Sequence, residues 1–159
     1  MKEHYPDAIN TLDFIGLNYY SHYYYKFSFD QDKLFDPHYK KDDIMTDMDY
    51  AFYPEGFYRA VQTLSQLEVP IFVTENGIAD AKDDRRALFI QRYLYALSEA
   101  IKEGHDVKGY FYWSLMDNFE WSFGFEKEFG LYSVNRDTQE RTLKNGGSQY
   151  QNIVREFSR

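Results

Sequence analysis

The chain has 159 residues, a formal net charge of −8 and no cysteine, which excludes disulfides and zinc–thiolate centres and leaves no basic face for a nucleic acid. No run of Lys or Arg suits a membrane surface, no stretch approaches the roughly 18 apolar residues of a membrane span, and Met1-Lys2-Glu3-His4-Tyr5-Pro6 has no apolar signal-peptide core. These features predict one domain over residues 1–159 in a reducing cytoplasm, with one compositional bias: 16 Tyr and 14 Phe bring the aromatics to 20%, a load that fits either a Tyr-rich core or stacking against sugar rings.

In chain order, residues 13–20 (DFIGLNYY) predict a buried strand with a polar end, and 21–53 a long irregular segment rich in Tyr and Asp. A helix is predicted from Pro54 to Glu68, with Pro54 in its first turn and Ala60, Val61, Leu64 and Leu67 at helical spacing. Val69-Pro70 stops it. Ile71-Phe72-Val73-Thr74 reads as a short buried strand that ends at the polar tip Glu75-Asn76-Gly77. A second helix follows from Asp83 to Glu103, striped by Ile90, Tyr93, Leu94, Leu97 and Ile101 and capped by Gly104. Val107 to Leu115 is the third strand, 117–130 a loop, Leu131 to Val134 a short extra strand, and Gln149 to Phe157 a final helix.

Strand and helix therefore alternate three times, which implies parallel strands with helical crossovers. Both an open doubly wound sheet and part of a (β/α)8 barrel fit that order. No glycine-rich phosphate loop follows any strand, which argues against a nucleotide-binding or flavodoxin-like module. All three strands end in polar groups: Asn18-Tyr19-Tyr20, Glu75-Asn76, and Trp113-Ser114 leading to Asp117-Asn118. In a parallel α/β fold these ends share one face, where active sites sit. Glu75 follows an apolar run and so stands at the mouth of the core. It reads as a nucleophile or general base, or as a carboxylate that caps a loop or pairs with Arg. Glu120, beside Trp121, offers a hydroxyl acceptor next to a stacking plane, or is a solvated loop residue. His4, His22, His38 and His105 have no ligand-like spacing, so no metal or cofactor is expected.

Three motifs carry a resemblance over nearly the whole chain. Asp13-Phe14-Ile15-Gly16-Leu17-Asn18-Tyr19-Tyr20, Thr74-Glu75-Asn76-Gly77 and Trp113-Ser114-Leu115-Met116-Asp117-Asn118-Phe119-Glu120-Trp121 are similar, in order and spacing, to signatures of glycoside hydrolase family 1. The resemblance implies a retaining β-glucosidase-like hydrolase on a (β/α)8 barrel, with this chain supplying the sixth to eighth strands. Glu75 would be the nucleophile, Tyr20 would hydrogen-bond it, and Asn18 would lie beside it. Trp113 would form the platform under the sugar, Glu120 and Trp121 would bind its far hydroxyls, and Phe129 would pack at the edge. Glu120-Trp121 also implies an unphosphorylated sugar, within a β-glycoside or oligosaccharide substrate.

The chain departs from the family pattern in places. Ser122-Phe123-Gly124-Phe125 replaces an Ala-Asp-Gly-Tyr-like run, Glu128 stands where a basic residue is common, and the stretch from Lys144 to Tyr150 lacks the family's Ser and Trp. The larger departure is length, since a barrel needs about 250 residues. The family's Asn-Glu-Pro motif, which bears the acid/base glutamate, does not occur in the sequence, and neither do its first-half Gln and His sugar contacts. The expectation is therefore catalysis that needs the N-terminal half for its acid/base and, because two strand edges are left unpaired, self-association or a complementary N-terminal half-barrel chain as partner. The alternative is a non-catalytic sugar-binding fragment.

Overall fold

The computed structural model describes residues 11–29 and 34–157; the N-terminal segment and His4 lie outside them. Three strands, β1 (Ile15–Asn18), β4 (Ile71–Asn76) and β5 (Val107–Tyr112), form a parallel sheet in the order β1-β4-β5. Two antiparallel hairpins stand apart from it: β2 (Tyr24–Phe27) with β3 (Phe35–His38), and β6 (Tyr132–Val134) with β7 (Arg141–Leu143). The helices are α1 (Pro54–Ser65), α2 (Arg86–Lys102) and α3 (Asn145–Phe157). No helix among the described residues is long and apolar enough to cross a membrane.

The period-2 alternation of the strands sets the two faces of the sheet. Leu17, Ile71 and Val73 are buried against Phe57 and Val61 of α1 and Phe89, Tyr93, Leu97 and Ala100 of α2. The helical residues recur every three or four positions, so each helix turns one apolar stripe inward. A second cluster joins Ile90, Tyr112 and Leu131 to Tyr150 and Ile153 of α3. On the other face Gly16, Asn18, Thr74 and Phe111 are exposed, so among the described residues the sheet is covered on one side only. It is an unclosed part of an α/β architecture, with β1 and β5 as its edges.

Several boundaries correct the sequence reading. Strand β4 runs on through Glu75 and Asn76, because Asn18 pairs in register with Glu75 and Asn76 with Tyr112. Strand β5 stops at Tyr112 instead of Leu115. The first helix ends at Ser65, and the backbone turns at Glu68 with φ 59°. Helix α2 starts at Arg86 rather than Asp83, where Asp80 Oδ2 accepts the N–H groups of Arg85 and Arg86 at 2.9 Å each. Helix α3 starts at Asn145, four residues earlier than predicted. The 21–53 segment, predicted to be irregular, contains the β2–β3 hairpin.

Candidate active site

At the C-terminal ends of β1, β4 and β5 lies a cavity of about 560 Å³ walled by Tyr20, Ser21, Tyr23, Met48, Tyr50, Glu75, Trp113, Glu120, Trp121 and Phe129. Six of the seven residues expected from the sequence meet here. The seventh, Asn18, pairs in register with Glu75 on the neighbouring strand. Its Oδ1 accepts from the Thr74 hydroxyl at 2.6 Å, so its side chain braces β4 instead of lining the wall. A larger cavity of about 890 Å³ opens among β2, α1 and α2; none of the expected residues lines it.

Glu75 is placed by its strand. The neighbouring Asn76 is fully buried, donates to the Tyr19 carbonyl at 2.6 Å and accepts from the Tyr110 hydroxyl at 2.9 Å. These bonds lock the end of β4 between its neighbours. The Tyr20 hydroxyl donates to Glu75 Oε2 at 2.9 Å. Among the described residues no hydrogen bond reaches Oε1. Burial, and then the bond to Glu75, push the Tyr20 hydroxyl well above the usual phenol range. It therefore stays protonated and remains a donor at any working pH.

Trp113 follows β5, where its N–H donates to the Asn76 carbonyl at 2.9 Å. The Trp113–Ser114 peptide is cis. A Cβ at Gly77 would lie 1.7 Å from the Trp113 carbonyl oxygen, so the approach of the two strand ends demands glycine there. Phe129 is buried edge-on against Tyr20, with ring centroids 6.0 Å apart. Trp121 lies in a 3₁₀ turn over Trp121–Phe123 and is exposed. Burial, and then the negative charge of Glu75, raise the Glu120 carboxyl above the usual range. Two carboxylates thus share one cavity and feel each other. Among the described residues no group of three or more His, Asp or Glu is arranged to hold a metal ion.

The sequence reading missed the supports behind the wall. Arg86 is fully buried on α2. Its guanidinium donates to the carbonyls of Ile78 (2.8 Å), Asp80 (2.6 Å), Glu128 (3.2 Å) and Phe129 (3.1 Å), and to the Tyr112 hydroxyl at 3.0 Å. It ties the chain after the Glu75 strand to the strap that carries Phe129. Asp80, also fully buried, pairs with Arg85 at 2.8 Å. Tyr50, buried in the cavity wall, comes from the segment predicted to be irregular.

Known proteins resemble this chain in sequence and fold. A family model described as Glycosyl hydrolase family 1 matches residues 2–158. Beta-glucosidase A of Thermotoga maritima is 35% identical over an alignment of 171 residues that covers 98% of this chain and 38% of that protein. A 6-phospho-beta-galactosidase of Streptococcus mutans is 40% identical over 121 residues, covering 69% of this chain and 26% of its own length. Among solved structures, a beta-glycosidase from Pyrococcus horikoshii superposes with a TM-score of 0.80 at 39% identity, over 90% of this chain and 34% of that one. The chain thus spans little more than a third of the curated relatives it matches, or less.

Proposed function

We propose, from the premise that this chain belongs to glycosyl hydrolase family 1, that it forms the nucleophile-bearing part of a retaining β-glycosidase active site. Its three parallel strands stand as the sixth to eighth of a (β/α)8 barrel. The observation that carries the reading is the Tyr20–Glu75 hydrogen bond of 2.9 Å, made inside a cavity whose wall also holds Trp113, Glu120 and Trp121.

Glu75 Oε1 attacks the anomeric carbon while the bond to the aglycone oxygen breaks and its electron pair leaves with that oxygen. Tyr20 holds Oε2, so the carboxylate presents its other oxygen. Trp113 stacks under the ring, Glu120 and Trp121 take the hydroxyls farthest from the reacting carbon, and Phe129 closes the edge. The leaving oxygen needs a proton from a second carboxyl group about 5–5.5 Å from the nucleophile, which later activates the water that releases the sugar. No Asn-Glu-Pro occurs in the 159 residues, so that group comes from strands outside them, in a complementary half-barrel. Without it, acid help of about 10²–10⁴-fold is lost, and hydrolysis by these residues alone is very slow. The substrate is an unphosphorylated β-glycoside: Glu120 is a carboxylate and would repel a phosphate at the far end of the ring.

An activated 2-fluoro glycoside tests the reading, because its leaving group departs without a proton. Incubation followed by peptide mass mapping is expected to find the glycosyl adduct on the peptide containing Glu75, and none in Glu75→Gln. An unmodified protein that still binds a glucose-configured inhibitor would favour a sugar-binding fragment without catalysis.

A further inference from the structure

The loop from Asp117 to Gly130 carries Glu120, Trp121 and Phe129, and the ammonium of Lys144 bridges carboxylates at its two ends. Lys144, between β7 and α3, has a side chain only 8% exposed. Its ammonium reaches Asp117 Oδ2 at 2.9 Å and Oδ1 at 3.0 Å, and Glu128 Oε2 at 2.8 Å. Asp117 Oδ1 also accepts the Gly130 N–H at 2.7 Å, and the Lys144 N–H donates to the Leu131 carbonyl at 2.9 Å. An ammonium has three donors and here meets three carboxylate oxygens. Without it, the buried Asp117 and the half-buried Glu128 would face each other as like charges, and the loop would be left to its backbone bonds, Asp117 N–H to the Tyr132 carbonyl and Leu131 N–H to the Ser114 carbonyl at 2.9 Å each, and to Arg86 on the Glu128 and Phe129 carbonyls.

We propose that Lys144 is a positioning residue for the sugar contacts. Bridging Asp117 and Glu128, it holds the 117–130 loop in the conformation that turns Glu120 and Phe129 into the cavity. This deepens the proposed function and rests on it. The clip acts more on binding than on bond making, because the hydrogen bonds that fix the end of β4 come from Asn76 to the Tyr19 carbonyl and the Tyr110 hydroxyl, and the loop meets Tyr20 only through the edge of the Phe129 ring and Glu75 only through the charge of Glu120.

The test uses the 159-residue chain with two readouts: amide hydrogen exchange across 117–130, and saturation kinetics of inactivation by an activated 2-fluoro glucoside. Lys144→Met is expected to raise the half-saturating concentration about tenfold, equivalent to ~1.4 kcal/mol, and to change the saturating rate less than about threefold. Exchange should quicken within 117–130 and stay protected in β4 and β5. Glu128→Gln keeps the Lys144–Asp117 pair and should act in the same direction but more weakly, which covers the case that Lys144→Met does not fold. The charge swap Glu128→Lys with Lys144→Glu should recover part of the loss, and Lys102→Met, which breaks a surface pair with Glu99, should change nothing. Equal losses in both kinetic parameters, exchange spreading through the sheet, or an unchanged half-saturating concentration would each overturn the proposal. If the unmodified chain takes no label, the glycosidase reading fails by itself. Exchange then decides the clip: quickening confined to 117–130 keeps it, and its absence removes it.

Discussion

Tyr20 and Glu120 act on the Glu75 carboxylate from opposite sides. Tyr20 gives it a proton donor that cannot ionise at working pH, whereas Glu120 gives it a like charge. The coupling is reciprocal, so Glu75 contributes to the raised Glu120 carboxyl, after burial. Glu75→Gln removes the charge and leaves the burial. The Glu120 pKa should then fall but stay above its ordinary range, as followed by carboxyl carbon chemical shifts against pH; no fall would show that the two groups do not interact. A carboxyl with a raised folded-state pKa contributes stability that is full below its unfolded value and lost as pH rises through the folded value. Sugar binding runs the other way, since only the ionised form offers all its acceptor sites. Affinity for a glucose-configured inhibitor should therefore drop on acidification at a pH above the usual glutamate range, and Glu120→Gln should flatten that dependence. Glu75, Tyr20 and Trp113 were legible in the sequence because each ends a strand with a recognisable polar tip. Arg86 was not. In Asp83-Asp84-Arg85-Arg86 it reads as one more solvated charge, and its burial depends on carbonyls 42 and 43 residues away in sequence.

Helix α3 shows the same limit at the scale of an element. Two glycines in a first turn cost about 1 kcal/mol each relative to alanine, so periodicity alone starts the helix after them, at Gln149. Both are buried. A Cβ on Gly146 would lie 2.6–2.7 Å from Cβ, Cγ and Cδ of Arg86, atoms near the root of a side chain whose guanidinium is fixed by Asp83, the Tyr112 hydroxyl and four backbone carbonyls. Propensity predicts that Gly146→Ala stabilises the protein; packing predicts the reverse, with overpacking costing about 1–3 kcal/mol. We expect the urea midpoint to fall. A rise would mean that Arg86 yields easily and that propensity governs this turn. The interiors of the other two helices were legible because apolar residues repeat every three or four positions over 12 and 17 residues. The β2–β3 hairpin was not, because it buries almost nothing: Tyr25, Phe27 and Phe35 are exposed, and without a buried face there is no alternation to read.

The molecule as a whole presents a parallel sheet covered on one face. Parallel sheets are stable when both faces are packed, yet Phe14 is 53% exposed and Phe111 58% on the side away from the helices. Among the described residues strands β1 and β5 each have a neighbour on one side only, so two rows of backbone donors and acceptors are open to another strand. The relatives, which are about three times as long as this chain, have chain to spare for covering such a face. The 159 residues by themselves should therefore self-associate, and a polypeptide carrying the complementary strands should compete with that association. Sedimentation velocity at tens of micromolar is expected to show dimers or larger species. Phe111→Ser should weaken them without loss of helical circular dichroism, because Phe111 faces away from α1 and α2. A single monomeric boundary together with cooperative thermal unfolding would mean that the sheet tolerates its open face. In that case the complementary chain would be needed only for its acid/base carboxyl group and not for the fold.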